Sequence, residues 1–355
     1  MIPELTANDY QRYNEQIKLS EIGIDGQLKL KSARVLCVGA GGLGCPLLLY
    51  LAAAGVGTLG IIDGDSVELS NLQRQILYQT QHLHQKKALV AATQLKQLNP
   101  GIQIETYLER LCTNNAKDII SRYDIIADCS DNFATRYLIN DSCFQLNIPF
   151  VSASISRFHG QCMTFLGKRG PCYRCLFPSV PENSLSCADG GVLGVLPGIL
   201  GTLQATEVLK TILNIPSLLI GRLLSVDSLA MTFREYQFAS DPDCPLCGKN
   251  PTDSPITPTQ CSILPIFFHE IEKKHYFLLD VRTEEERAIY HLPNDHWIPL
   301  STLKDQLHEL NRDNAIVVYC EKGPRSMKAA LLLQEAGFQS VRYLKNGLDL
   351  ILKNN

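Results

Sequence analysis

Between residues 33 and 166 the chain alternates short apolar runs with longer segments of a different character. The runs 33–38, 59–63, 102–107, 125–128, 150–154 and 160–166 are rich in Val, Ile, Leu and Phe, which predicts strands. Segments between them, such as 44–54 and 85–99, are predicted to be helices. Such alternation points to a mostly parallel sheet with helices on both faces. The stretch 186–213 begins Gly-rich and turns helical from 201, and 222–238 has the pattern of two antiparallel strands. The pattern then breaks. In "GKNPTDSPITPTQ", residues 248–260, three prolines stand among Thr, Ser and Asp, so the segment buries little and is expected to be a linker. Strands are predicted again at 276–280, 316–320 and 341–344, with a helix at 326–336. The expected organisation is an α/β domain over 1–248, a Pro-rich linker over 249–261 and a smaller α/β domain over 262–355. A length of 355 residues fits two domains.

Composition narrows the function classes. A net charge of −3 gives no basic surplus for nucleic acid. The start, MIPELTANDY, lacks the basic and apolar regions of a signal peptide, and the longest apolar run, 46–62, is cut by Gly55, Gly57 and Gly60. Neither a nucleic-acid nor a membrane partner is expected. The thirteen cysteines are an odd number, and four of them form two CxxC pairs. That favours a reducing, cytoplasmic location with metal or thiol chemistry over a disulfide framework.

The first chemical signal is "VLCVGAGGLGCPLLLYLAAAGVGTLGIIDGDSVELSNLQRQ", residues 35–75. Gly39, Gly41 and Gly44, between a strand and a helix, set backbone N–H groups and a helix N-terminus against a phosphate. Asp63, at the end of the next strand, is placed to accept from ribose hydroxyls, as for NAD or ATP. Asn71, Arg74 and Lys87 then decide for ATP. They add an amide and two cations, which a triphosphate requires and NAD does not. Asp131, in "DCSDNFATR", follows a strand's C-terminal end, where open α/β sheets bind ligands, and is suited to hold Mg²⁺.

Two thiol sites follow. Cys172, Cys175, Cys244 and Cys247 have the spacing of a closed tetrahedral Zn²⁺ site of structural type. Cys187, in "SCADGG", lies outside both pairs in a loop with Ser184, Ser186 and Asp189. In "VVYCEKGPRSMKAALLL", residues 317–333, a loop and a helix N-terminus surround Cys320 with N–H groups, and Arg325 adds positive charge, which together favour a thiolate.

The motifs "RYNEQIKL", "DCSDNFATRYLIND", "GPCYRCLFP" and "CADGGVLGVLPG", with the glycine-rich stretch above, resemble those of the E1-like activating enzymes of the MoeB/ThiF (HesA/MoeB/ThiF) family over about residues 10–248. The resemblance implies a Rossmann-like E1 activating-enzyme fold with a mixed sheet and a homodimer. It implies ATP-dependent adenylation of the C-terminal glycine carboxylate of a ubiquitin-like sulfur-carrier protein ending in Gly-Gly. It places Gly39, Gly41, Gly44, Asp63, Asp65, Asn71, Arg74, Lys87 and Asp131 at the ATP·Mg²⁺ site, with Arg136 a secondary candidate. The zinc site of the family tethers the crossover region to the C-terminal strands. Fused members carry a cysteine at the place of Cys187 that takes the activated carrier or a persulfide. One position departs: the family reads RY-x-RQ near the N-terminus, where the second arginine reaches the partner subunit's triphosphate. Here the stretch is Arg12-Tyr13-Asn14-Glu15-Gln16. Either Arg12 or Lys18 substitutes, or that contact is missing.

Residues 262–350 resemble a rhodanese. Its loop Cys-x-x-Gly-x-Arg-Ser is matched by Cys320, Gly323, Arg325 and Ser326, and its early strand by "LLDVRTEEE" with Asp280 and Arg282. Tyr290 replaces the usual Gly before its His-Ile-Pro segment. The fusion is similar to the molybdopterin-synthase adenylyltransferase/sulfurtransferase type. It implies a Cys320 persulfide, charged by a donor such as a cysteine desulfurase and used to make a carrier thiocarboxylate. The carrier could serve molybdenum cofactor, tRNA thiolation, thiamin or cysteine synthesis. Three other readings stand beside it: a conjugation E1 acting through a Cys187 thioester, a non-catalytic carrier-binding module, and, more remotely, an NAD oxidoreductase.

Overall fold

The computed structural model describes residues 4–179, 191–251, 265–271, 276–312, 314–338, 340–344 and 347–348. The chain divides into two compact units, Met1–Cys261 and Ser262–Asn355.

The first unit is built on eight strands: β1 (Arg34–Val38), β2 (Thr58–Ile62), β3 (Gln103–Tyr107), β4 (Ile125–Asp128), β5 (Phe150–Ser156), β6 (His159–Phe165), β7 (Arg222–Asp227) and β8 (Thr232–Gln237). They form one sheet in the order β3-β2-β1-β4-β5-β6-β7-β8. Strands β1 to β5 pair in parallel and β5 to β8 antiparallel, so the sheet is mixed. The connections explain the change. Helices Gly44–Ala54, Lys87–Leu98 and Phe133–Leu146 supply the long crossovers that parallel neighbours require. The short turns after β5 and β7 contain left-handed Arg157 (φ 53°) and Met231 (φ 50°) and return the chain directly, which enforces antiparallel pairing.

Alternation along β1 shows how both faces are filled. Val35 and Cys37 pack into one cluster with helices Gly44–Ala54, Lys87–Leu98 and Leu196–Leu213. Leu36 and Val38 enter the opposite cluster with Ala116–Ile120 and Phe133–Leu146. The helix expected from 201 begins at Leu196, with a proline in its first turn, where a missing N–H costs nothing. Three helices that the apolar pattern does not reveal, Ala7–Arg12, Asn14–Ile17 and Gly23–Ser32, precede β1. The first is set by polar chemistry instead, a capping box between Thr6 and Asp9.

In the second unit β9 (Pro265–Ile266), β10 (Phe277–Asp280), β11 (His296–Trp297), β12 (Ile316–Tyr319) and β13 (Val341–Leu344) form a parallel sheet in the order β11-β10-β12-β13-β9. Helix Pro324–Glu335 packs Ala329, Ala330 and Leu333 onto Ile316, Val318 and Leu279. Among the described residues no helix is long and apolar enough to cross a membrane.

Candidate functional site

The neighbours β1 and β4 send their chains to helices on opposite faces of the sheet, which opens a crevice at their C-terminal ends. Gly39 enters it with φ +94° and donates its N–H to the Ile62 carbonyl of β2 at 2.9 Å. Tyr78 donates its hydroxyl to the Ala40 carbonyl at 2.7 Å, fixing the next peptide. Asp63 accepts the Ala40 N–H and the Asp65 N–H, both at 2.8 Å, so one carboxylate sets both the glycine turn and the segment after β2. Burial raises the Asp63 carboxyl above its ordinary range, and the Lys87 charge opposes that shift.

The cations are held at different depths. Lys87 is buried at the start of its helix, with Nζ 3.7 Å from Asp65 Oδ2. Arg74 is half-buried and donates to the Ser70 carbonyl at 3.0 Å. Asn71 spends its amide oxygen on the Glu68 N–H (3.2 Å), capping the turn that carries Arg74. Asp131 is exposed at the end of β4, directly before Asn132, whose side chain caps the helix Phe133–Leu146 through the Thr135 N–H at 2.9 Å. Arg136, the secondary candidate for the phosphates, sits deeper than the half-buried Arg74. It is buried beside Asp128 (3.5 Å) and donates to the Ser130 carbonyl at 3.1 Å, so it braces the loop that presents Asp131.

Two residues of this crevice escape a reading of the sequence. Arg110, after β3, is 2.9 Å from Asp65 and feels the charges of Asp65, Asp131 and Asp63. Gln75 is buried, with no hydrogen-bond partner for Oε1 among the described residues, and its Nε2 would lie 3.7 Å from a Cβ on Gly41. A position after a strand that ends at the same sheet edge was the signal for Arg110; Gln75 had none.

Elsewhere in the first unit, Cys172, Cys175, Cys244 and Cys247 bring their sulfurs within 4.8 Å of one another. Individual Sγ···Sγ separations are 3.9 Å (172–175), 3.6 Å (172–244), 3.5 Å (172–247) and 3.2 Å (175–247). A Zn–S bond of about 2.3 Å gives tetrahedral S···S edges of about 3.8 Å, so the cluster fits zinc with small adjustments. Burial and neighbouring sulfurs push the Cys172 thiol well up, and Cys247 is pushed up to about 12. Four thiolates packed this closely need a cation to neutralise them. The turn after Cys247 needs Gly248, where a Cβ would stand 2.5 Å from the Cys244 carbonyl oxygen.

In the second unit Cys320 is buried at the end of β12. Its sulfur accepts N–H groups from Gly323 (3.1 Å) and Ser326 (3.3 Å), and Ser326 Oγ lies 3.5 Å away. The loop is closed from behind by Leu348, which donates its N–H to the Cys320 carbonyl at 3.0 Å. The adjoining Gly347 leaves no room for a Cβ, which would fall 2.1 Å from the Glu321 carbonyl oxygen. Arg325 is not aimed solely at the sulfur. It makes a two-point pair with Glu286 at 2.7 and 2.5 Å, and its guanidinium holds the Glu286 carboxyl down at about 2. Asp280 and Arg282 form a buried pair at 2.9 Å beneath the loop, so they are scaffold.

Cys187 lies outside the described residues. Near the N-terminus Glu15 is exposed and pairs with Lys18 at 2.6 Å, while Arg12 donates to the Leu98 carbonyl at 3.1 Å. Within one chain, then, both basic residues flanking Glu15 are engaged locally.

The ThiF family model matches residues 13–246, and the Rhodanese-like domain matches residues 268–354. The adenylyltransferase and sulfurtransferase MOCS3 of Sus scrofa is 41% identical over 372 residues, covering 93% of this chain and 82% of that protein. The sulfur carrier protein adenylyltransferase of Thermus thermophilus is 47% identical over 254 residues, covering 70% of this chain and 94% of its own length. Among solved structures, E. coli MccB with ATP superposes with a TM-score of 0.59 at 21% identity, over 70% of this chain and 75% of that one, a likeness of fold.

Proposed function

The chain belongs to the ThiF family and carries a C-terminal rhodanese-like domain, and from that premise we propose that it is a sulfur-carrier adenylyltransferase with sulfurtransferase activity. The observation that carries the reading is the pairing, in one chain, of two sites. One is a glycine-lined crevice with buried Lys87 and exposed Asp131; the other is a cysteine whose sulfur accepts two backbone N–H groups.

The carrier's C-terminal glycine carboxylate is already ionised at neutral pH, so the first step needs no general base. Its oxygen attacks the α-phosphorus of ATP, and pyrophosphate leaves from an acyl-adenylate. Catalysis is positioning and charge neutralisation. The N–H groups of Gly41 to Gly44 donate to phosphate oxygens, Arg74 and Lys87 neutralise them, and Asp63 accepts from the ribose. Mg²⁺ would be held by Asp131 and would supply charge neutralisation between the phosphates. In the second step the outer sulfur of a Cys320 persulfide attacks the acyl carbon and releases AMP. An external thiol then attacks the Cys320 sulfur of the acyl disulfide and releases the thiocarboxylate, and a second thiol frees Cys320 from the mixed disulfide this leaves. The N–H groups of Gly323 and Ser326 stabilise negative charge on Cys320 as it takes and gives up sulfur. Zinc held by the four cysteines would be structural, since four sulfurs leave no open position. The partners are a small ubiquitin-like carrier and a persulfide donor, and the assembly is a homodimer.

The test begins with capture of a small partner ending in Gly-Gly. ATP–pyrophosphate exchange and mass spectrometry of that partner follow, with ATP and a sulfur source. The carrier should gain the mass of one sulfur less one oxygen. Asp131→Ala should lower exchange at least ~100-fold, and Cys320→Ala should stop sulfur addition while leaving exchange intact. A carrier held on Cys187 as a stable thioester, with Cys320 dispensable, would instead identify a conjugation enzyme.

A further inference from the structure

Asp65 has two basic partners at the crevice and engages them unequally. Arg110 is at hydrogen-bonding distance, 2.9 Å from Oδ1; Lys87 is at 3.7 Å from Oδ2, outside it. The backbone of Asp65 is held close to Lys87. The Asp65 N–H is tied to Asp63 (2.8 Å) and its carbonyl accepts the Lys87 N–H (3.0 Å), so Asp65 is fixed against the first residue of the lysine's helix. Lys87 is buried and Asp65 half-exposed, so a direct contact between them would be shielded from water on the lysine side. A charge-assisted hydrogen bond in such a place is among the stronger polar contacts a protein makes. A triphosphate arriving in the crevice would have to break it before Lys87 could bind a phosphate.

We propose that Arg110 is a positioning residue for the adenylation step: by occupying the Asp65 carboxylate it keeps the Lys87 ammonium available to the phosphates of ATP. The inference rests on the reading of Lys87 as a phosphate ligand. Arg110 is suited to the task because it approaches from the segment after β3, on the solvent side, with its side chain 42% exposed. The charges of Asp131 and Asp63 also act on it, which keeps its guanidinium at the acidic rim of the crevice.

The test measures binding of Mg·ATP and of adenosine to the full-length protein by calorimetry. Arg110→Met should raise the Kd for Mg·ATP about tenfold and leave adenosine binding unchanged, since adenosine has no phosphate for Lys87 to meet. Arg110→Lys should restore most of the ATP affinity. In an Asp65→Asn background, where the Asp65 carboxylate no longer competes for Lys87, Arg110→Met should change the Kd less than about twofold. Three results would overturn the proposal: unchanged ATP affinity in Arg110→Met, equal weakening of adenosine, or the same loss in the Asp65→Asn background, which would make Arg110 a direct nucleotide contact. Lys87→Gln separates the two levels. If it leaves ATP affinity intact, the reading of Lys87 fails and the role of Arg110 falls with it; if it weakens ATP, only the Arg110 results bear on the proposal.

Discussion

Gly41 and Gly44 come from one motif but do different work, and alanine at each should separate stability from ATP use. A Cβ on Gly44 would stand 2.1 Å from the Gly39 carbonyl oxygen and 3.3 Å from Cys37 Sγ. Real Cβ atoms essentially never approach closer than 3.0 Å, so the glycine turn and the helix Gly44–Ala54 would have to part by about 1 Å. The neighbour is backbone, which cannot swing aside. Gly44→Ala should therefore cost about 1–3 kcal/mol of stability, as for an overpacked core, and lower ATP–pyrophosphate exchange because the turn itself moves. A Cβ on Gly41 meets only Gln75 Nε2, at 3.7 Å, an ordinary contact, and neither glycine has a positive φ. Gly41→Ala should hold stability within about 0.5 kcal/mol. Its methyl group would instead occupy the space a phosphate needs, and a displacement of about 1 Å can cost about 100-fold in rate. Thermal melts and exchange assays on the same preparations read both quantities. Wild-type exchange in Gly41→Ala would show that the phosphates do not approach this turn, and a wild-type melt for Gly44→Ala would refute the steric argument.

Cys172→Ser should release about one Zn²⁺ per chain and destabilise the first unit, because a structural zinc site contributes its binding energy to folding; metal analysis of the wild-type protein showing no zinc would remove the site. The Glu286–Arg325 pair predicts an acid dependence in the second unit. The Glu286 carboxyl is depressed from 4.5 to about 2, so its contribution is complete above about 4.5 and is lost as pH falls toward 2. Both side chains are partly exposed, which limits the term to about 1 kcal/mol. Trp297, the only tryptophan of the chain, lies in this unit and reports its unfolding by fluorescence, and Glu286→Gln should flatten the pH dependence between 5 and 2. Glu15→Arg should lower the KM for ATP if the chain forms a homodimer that brings this position to the partner's phosphates; an unchanged KM would place it elsewhere.

What the sequence reveals follows from how local each cause is. Strands such as β4, and the helix Gly44–Ala54, were legible to the residue because most of a buried strand must be apolar and the packed face of such a helix is built from small and aliphatic residues. The N-terminal helices were not, since Gly23–Ser32 buries only Gly26, Gln27 and Leu30 and so leaves little periodicity to read. The strands β9 and β11, two residues each, are too short to carry any period. The same division runs through the sites. Each CxxC pair and the Cys320 loop announce themselves because their geometry is set by neighbours three to six residues away, although the two pairs are joined only by the fold. Arg110 does not, and neither does the partner of Arg325, because each pair joins residues far apart in the chain, Arg110 with Asp65 and Arg325 with Glu286, brought within 3 Å only by the fold. For Arg325 the consequence is chemical. The sequence offers its positive charge to Cys320, but in the folded unit Glu286 holds both guanidinium arms, so the sulfur's stabilisation falls first to the Gly323 and Ser326 N–H groups. A loop built that way depends on backbone shape more than on side-chain charge, which is why Gly347, with no space for a Cβ against Glu321, sits directly behind it.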